Sequence, residues 1–469
     1  SERRLLAINN YFYRRGGAES VFLDQIDLFA AAGWDVVPFA MEHPDNLPSP
    51  WSDYFVSEIE YGRINGPITK ARQAAKIIFS LEARRKIRAL IARAEGVPVV
   101  MTAHDLKLAC PAYKMLSHGE VCERCRGGRI HNLLLRRCVK DSAVVSGLVF
   151  LETLVHRSFG LYRDTLDCLI APSRFYRDKL VEWGWDASRI AYIPNFVDAE
   201  QFTPWCNEGN YFVYAGRLAP EKGLGTLIRA AALAHQRLVL VGAGPEEAAL
   251  RQLAFELDAD IVFAGHMAKP ELKQLIGESR ALVLASEWYE NAPISVLEAY
   301  ALGRPVIGTR IGGIPELIVH NKTGVLVAPG NVGMLAEALA SMAKLPRTAR
   351  NRLGAAGRDW VLREFSPEKY RDRTMALYET VVIFLGLRGI PEIQGGVETH
   401  VAALAVRIAQ RGWRVEVLGR KPYLPSPEPY VWKDVTVTPV WAPRSKNVEA
   451  LLHTTLGLFA AARRNPDLV

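Results

Sequence analysis

Short apolar runs alternate with longer stretches of helical period along most of this chain. The runs read as strands buried on both faces and the stretches between them as crossover helices, which together predict an α/β fold with parallel sheets. In a first series, strands are expected at Leu5–Ile8, Asp35–Ala40, Val97–His104, Cys168–Ser173 and Ala191–Asn195. A polar, Pro-containing stretch from Asn195 to Asn210 reads as a linker. A second series follows at Tyr211–Gly216, Arg237–Gly242, Ile261–Gly265, Ala281–Ser286, Pro305–Thr309 and Gly324–Ala328. Two series joined by a linker predict two domains with a cleft between them. Ligands of open α/β sheets sit beyond the carboxyl ends of the strands, so residues just after a strand are the first candidates for function.

The opening pattern recurs late. Gly16-Gly17-Ala18-Glu19 leads into a helical stretch and then Gly33-Trp34-Asp35-Val36, and Gly395-Gly396-Val397-Glu398 leads into another and then Gly412-Trp413-Arg414-Val415. Both landmarks are displaced by the same 379 residues, and an apolar run precedes each, Leu5–Ile8 and Val381–Leu385. Equal spacing over two landmarks favours repetition over chance. Residues 381–469 are therefore expected to be a partial second copy of the first domain, incomplete as a catalyst, and the domains to run 1–195 and 196–365 before it.

Composition narrows the class. A chain of 469 residues, 49% hydrophobic and 23% charged, suits two to three soluble domains and excludes overall disorder. The longest apolar stretch, Ala143–Val155, is broken by Ser146, Gly147 and Glu152 and falls short of the ~20 residues that span a bilayer. The start, Ser1-Glu2-Arg3-Arg4-Leu5, has no secretory pattern, so a cytoplasmic location is expected. The net charge of +8 is modest, but nine Lys or Arg stand against two Glu between Arg63 and Glu95. There, basic residues alternate with Ile77, Ile78, Phe79, Leu81, Ile87, Leu90 and Ile91. That pattern fits a basic amphipathic region on an anionic membrane surface, peripheral to the inner face of the plasma membrane, or simply a solvated helix face. No binding motif or aromatic platform accompanies it, so nucleic acid is not an expected partner.

Two segments carry the chemistry. Glu290-Asn291-Ala292-Pro293-Ile294-Ser295-Val296-Leu297-Glu298 follows an expected strand, with Pro293 suited to the first helical position and Gly303 to the stop. The N–H groups of that helix start can hold a diphosphate, while Glu290 and Glu298 can accept hydrogen bonds from sugar and ribose hydroxyls. Gly216-Arg217-Leu218-Ala219-Pro220-Glu221-Lys222-Gly223 also follows a strand, and Arg217 and Lys222 can stabilise negative charge growing on a departing nucleoside diphosphate. Weaker candidates are Gly16 and Gly17, Gly244 in Gly242-Ala243-Gly244-Pro245, the turn Gly312-Gly313-Ile314-Pro315-Glu316, and the strand-end His104. His104 fits a hydrogen bond to a sugar hydroxyl about as well as a structural turn.

Taken in order, the G-R-L-x-P-E-K-G and E-x7-E segments resemble those of retaining glycosyltransferase family 4, with similarity covering residues 3 to about 380. The resemblance implies a GT-B fold, two facing Rossmann-like domains, to which the repeat adds a partial third. It implies that Arg217 and Lys222 bind the donor diphosphate, Glu290 contacts the transferred sugar, Glu298 the ribose, and His104 lies at the reaction centre. Asn291, Ala292, Pro293, Gly16, Gly17, Gly216 and Gly244 would border the donor, and Gly265–Glu271 the nucleobase. Residues 366–380 resemble the final helix that crosses back to the first domain. Such enzymes retain configuration by front-face attack without a protein nucleophile, and no Asp-x-Asp motif is placed here to hold a divalent ion. Metal-independent transfer with no catalytic cofactor is expected.

Four cysteines cluster as Cys110, Cys122, Cys125 and Cys138, with the two-residue spacing of a zinc knuckle in the middle pair. Six cations against one acid between Val121 and Lys140 are expected to lower their pKa values. A similar insertion occurs in some family members, which favours a structural zinc or a stapled loop over unliganded thiols. Cys168 reads as core, and Cys206 carries no signal. The combined expectation is an enzyme moving a sugar from a nucleotide-sugar donor to a glycan or polyprenyl-linked acceptor of cell-surface polysaccharide. A glycoside phosphorylase, a sugar-nucleotide epimerase and a non-catalytic scaffold are the rivals.

Overall fold

The computed structural model describes residues 4–58, 74–78, 80–91, 99–164, 166–204, 209–378, 381–384, 388, 390–391, 396–409, 414–442 and 456. The chain divides into two compact units, Leu6–Leu28 with Val37–Arg371, and Ser1–Leu5, Phe29–Val36 with Asp372–Val469. Each is described by itself.

In the larger unit every expected strand of the second series forms. A six-stranded, all-parallel sheet runs in the order Ile261–Gly265, Arg237–Val241, Tyr211–Ala215, Leu282–Leu284, Val306–Thr309, Gly324–Val327. In sequence order this is 3-2-1-4-5-6, a Rossmann arrangement whose strand order reverses between Tyr211–Ala215 and Leu282–Leu284. The runs Phe212-Val213-Tyr214 and Leu282-Val283-Leu284 are buried on both faces, as crossover helices require. One core joins them to Leu224, Leu227 and Ile228 of helix Leu224–Leu233 and to Val296, Leu297 and Tyr300 of helix Ile294–Ala301. Burying each such large side chain is worth roughly 1.5–3 kcal/mol, so the helix that starts at the second motif is firmly seated.

The first series is less regular. Val100–Thr102, Cys168–Ala171 and Ile190–Tyr192 form a three-stranded parallel sheet, while Arg4–Ile8 and Asp35–Phe39 pair separately. Three expected strands are shorter than read, because Ala103, Ser173 and Asn195 have already turned into loops. The stretch read as a linker is packed: Val197, Ala199 and Phe202 enter the core of the six-stranded half, and Arg358 donates to the carbonyls of Ala199 and Phe202. Cys206 lies outside the described residues. The expected crossover segment begins as helix Pro367–Tyr378, and its Tyr370 hydroxyl accepts a hydrogen bond from Gln25 and stacks near Phe196.

In the smaller unit Val381–Phe384, Arg414–Arg420 and Val435–Val440 form a parallel sheet edged by antiparallel Tyr430–Trp432. Helix Gly396–Ala409 connects its first two strands. Strand, helix and strand thus repeat the order of Arg4–Ile8, Gly17–Ala31 and Asp35–Phe39. The landmarks Gly395, Gly412 and Trp413 lie outside the described residues.

Candidate functional site

The two motif loops are the connections that leave the two strands at the switch point. After Tyr211–Ala215, Gly216 to Gly223 carry Arg217 and Lys222; after Leu282–Leu284, Ser286 to Pro293 carry Glu290 and Asn291. A salt bridge joins them: Lys222 Nζ lies 2.6 Å from Glu290 Oε1, which also accepts from Ser286 Oγ at 2.7 Å. Glu290 is buried, so its charge depends on these two partners, and the Lys222 ammonium further lies 5.1 Å from the centre of the Trp288 ring. Gly223 makes this approach possible. It takes a left-handed conformation at φ 63°, and a Cβ there would stand 2.1 Å from the Ala285 carbonyl oxygen. Arg217, by contrast, is exposed, and its guanidinium has no hydrogen-bond or ion-pair partner among the described residues.

A cleft of about 350 Å³ lies next to this pair. From the first half it is lined by Gly17, Ala18, Ser20, Val21 and Asp24 of helix Gly17–Ala31, with His104 and Asn195; from the second by Lys269, Asn291 to Ser295 and Glu298. Two helix N-termini therefore open on one space, Gly17 and Ile294, each with first-turn amides suited to anionic oxygen. Pro293 is the residue before the helix, at ψ 118°, instead of its first residue, so the first free amides belong to Ile294 and Ser295. Glu298 lies just over one turn in, and its carboxylate accepts no hydrogen bond from another described residue. Burial raises its carboxyl pKa despite the opposing charges of Lys269 and Lys273. His104 stands two residues beyond its strand, and burial lowers its pKa to about 4, so the imidazole is neutral at ordinary pH.

Several residues singled out from sequence hold the protein together. Asn291 donates to the carbonyls of Ala103 at 3.0 Å and His104 at 3.3 Å, and accepts from Ser173 Oγ at 2.9 Å, so its amide bridges the halves while its backbone borders the cleft. Asn195 donates to the Ala292 carbonyl at 2.9 Å. The turn Gly312–Glu316 supports the acidic motif: Gly313 N–H donates to the Glu290 carbonyl at 2.8 Å, and a Cβ at Gly313 would meet the Asn291 carbonyl at 1.9 Å. Glu316 caps helix Arg174–Glu182 by accepting from Arg174 and Phe175 N–H at 2.8 and 2.6 Å. Burial alone would raise Glu221, but its 2.9 Å bond from Lys114 outweighs that and lowers it. Gly216 donates its N–H to Val241, and Gly244 packs against the Leu218 backbone; they shape the first loop, and they and Gly16 are not among the cleft-lining residues. Sequence reading missed Ser173, Asn195 and Lys114, and it named Lys269 and Glu316 only within the longer segments Gly265–Glu271 and Gly312–Glu316. Ser173 and Asn195 each follow a strand within a few residues, which was the available signal.

Family profiles match this layout. Residues 15–201 match the one described as Glycosyltransferase Family 4, and residues 198–360 the one described as Glycosyl transferases group 1. Together these two glycosyltransferase profiles run through residues 15–360. Residues 395–469 match a further profile, Glycosyl transferase 4-like domain, in agreement with the repeat. Over 223 residues the chain is 32% identical to the GDP-mannose-dependent alpha-(1-6)-phosphatidylinositol monomannoside mannosyltransferase of Mycobacterium tuberculosis, covering 42% of this chain and 58% of that one. It is 30% identical to a glycogen synthase of the same organism, covering 55% and 63%. The chain thus spans about three fifths of the length of these relatives. Among solved structures, sucrose-phosphate synthase of Thermosynechococcus elongatus superposes with a TM-score of 0.59 at 20% identity, covering 80% of this chain and 98% of that one. Anabaena HepE in complex with UDP and glucose superposes at 0.56 and 17%, covering 80% and 98%. Both likenesses bear on the GT-B fold.

The four clustered cysteines share one neighbourhood, since Cys125 feels the charges of Cys110, Cys138 and Cys122. For Cys110, Cys125 and Cys138 the pKa moves opposite to expectation. Burial pushes Cys110 and Cys138 up and Cys125 to about 12, because desolvation of the thiolate outweighs the cations, which point to solvent. Among the described residues no three His, Cys, Asp or Glu form a metal-holding group. Lys76 is bonded to Ser57 and Glu82, and Lys86 to the Phe55 carbonyl beside Glu82, so two cations of the basic region face inward. Residues 59–73, 79 and 92–98 of it lie outside the described residues. No described helix is long and apolar enough to cross a membrane.

Proposed function

We propose that this chain is a retaining, metal-independent glycosyltransferase that moves a sugar from a nucleotide-sugar donor to a glycan or lipid-linked acceptor of cell-surface polysaccharide. The observation that carries the reading is the Lys222–Glu290 bridge at the switch point, which ties the first motif loop to the loop whose Asn291, Ala292 and Pro293 line the cleft. The donor dependence and lipid acceptor in the name of the mycobacterial mannosyltransferase support it.

In this reading the donor diphosphate lies across the helix starts at Gly17 and Ile294, with Arg217 and Lys222 neutralising charge as the sugar–phosphate bond breaks. Fixed cations and helix amides do the electrostatic work a divalent ion does elsewhere. Glu298 accepts hydrogen bonds from ribose hydroxyls, which satisfy an otherwise unpartnered carboxylate. Glu290 holds Lys222 in place and faces the sugar. Neutral His104 exchanges a hydrogen bond with a sugar hydroxyl near the reacting carbon. The acceptor hydroxyl attacks from the face the diphosphate leaves, and the leaving phosphate takes its proton, so configuration is kept without a protein nucleophile.

The test is a product assay with lipid-linked and soluble glycan acceptors, supplied with UDP-, GDP-, ADP- or dTDP-sugars or with sugar-1-phosphates. Nucleoside diphosphate release coupled to a new glycosidic bond is expected. Turnover with sugar-1-phosphate alone would make the protein a phosphorylase. We further propose a structural zinc at Cys110, Cys122, Cys125 and Cys138, supported by their convergence and spacing and requiring that the thiols be drawn together. Elemental analysis of freshly purified protein should find about one zinc per chain, and a metal-free, fully folded protein would refute it.

A further inference from the structure

Helix Ala143–Ser158 packs Val149 and Phe150 against the core, yet it is apolar on its outer face as well. Its inward face carries Ser146, Glu152 and Thr153, which are 0%, 9% and 8% exposed, with Glu152 bonded to Lys107 at 2.8 Å. Its outward face carries Val144, Leu151 and Leu154 at 83%, 50% and 44% exposure. These recur at helical spacing with Gly147, Leu148 and Val155 between them, so they form one continuous stripe. Phe159, just past the helix, is 72% exposed, and the adjoining short helix Asn132–Leu135 adds Leu135 at 76%. Leaving this much apolar surface in water costs about 25 cal/mol per Å², and contiguous patches of this kind mark interaction sites.

The rim identifies the partner. Arg124, Arg126, Arg129, Arg137 and Lys140 are all exposed on the segment that leads into the helix, and Asn132 ties that segment down by donating to the carbonyls of Arg124 and Arg129. Arg137, Lys140 and Asp141 take left-handed backbone conformations, uncommon for such residues, to make the turn between the two helices. A self-complementary dimer through this face would set like charges against each other. An anionic lipid surface satisfies both the stripe and its cations. We propose that the Ala143–Ser158 helix and the basic segment before it form a membrane-docking surface for anionic phospholipid. The helix lies in the plane of the interface, since its 16 residues are too few to span a bilayer. The site is separate from the donor cleft and does not depend on which sugar is transferred.

The test is co-sedimentation of the full chain with vesicles of phosphatidylcholine alone or mixed equally with phosphatidylglycerol. Binding is expected to the mixed vesicles only, weakening with salt. The double variant Leu151→Ser/Leu154→Ser should bind about tenfold or more weakly while melting at the wild-type temperature, because both side chains are exposed. Arg137→Glu/Lys140→Glu should lose the preference for phosphatidylglycerol even if the first variant folds poorly. Equal binding to both vesicle types, no binding to either, or undiminished binding by a folded variant would overturn the proposal. So would a concentration-dependent dimer abolished by the leucine changes, which would make a second copy the occupant.

Discussion

The two halves of the larger unit handle polar groups in opposite ways. In the six-stranded half, the apolar side of each helix faces the sheet, and the polar groups at the strand ends either pair across to the other half or stand open to the cleft. In the first half, the helix Ala143–Ser158 buries Ser146, Glu152 and Thr153 beside Val149 and Phe150 and leaves Val144, Leu151 and Leu154 exposed. The difference separates two kinds of function. Charged groups held open at a switch point suit a small anionic ligand, whereas an apolar stripe left uncovered suits a surface.

The comparison breaks most visibly at Lys222. Lys222→Ala leaves Glu290 buried with Ser286 as its only partner among those seen here and removes a cation from the cleft edge. Sugar transfer should fall ~10²–10³-fold, measured as initial rates of nucleoside diphosphate release. A rate within about twofold of wild type would separate the motif from the chemistry. A smaller effect is expected where the halves are clamped. Asn291→Ala removes the bonds to Ala103, His104 and Ser173 and should cost about 2 kcal/mol of unfolding free energy, read from the denaturant midpoint. Glu316→Ala, which uncaps a single helix, should cost about 1 kcal/mol.

The smallest effect concerns pH. Burial lowers His104 from its ordinary value of 6.5 to about 4, so protonation opposes folding. Its stabilising share is complete above pH 6.5 and disappears as pH falls through about 4. The melting temperature of His104→Gln should therefore fall less steeply than that of wild type across that interval. Parallel curves would place His104 in contact with solvent.

Much of the second half was legible because continuous aliphatic runs such as Leu238–Val241 leave a parallel strand few alternatives. The motif loops were legible for the same reason: strand ends at a switch point are where open sheets bind ligands. Pairing was not. Nothing in the spacing of Glu316 shows that it caps a helix 142 residues earlier, and Asn291 reads as a ligand contact until its amide is seen bonded to Ala103. The stretch Ala143–Val155 was noticed only as too short to span a membrane, because hydrophobicity counts apolar residues without telling which face is buried. The cysteine pKa values were misjudged for a related reason. Sequence shows the charges nearby, but the depth of burial, which here decides the sign, belongs to the fold.

The central claim is that protein cations and helix starts hold the leaving diphosphate. Its most direct test is the melting temperature of the wild type and of Lys222→Ala with nucleoside diphosphates and EDTA present. Binding to the native state alone raises the melting point by mass action. The wild type should be stabilised by at least one nucleoside diphosphate to the same degree with and without EDTA, and Lys222→Ala should show no shift. A wild-type shift that EDTA abolishes, or an equal shift in both proteins, would contradict the account.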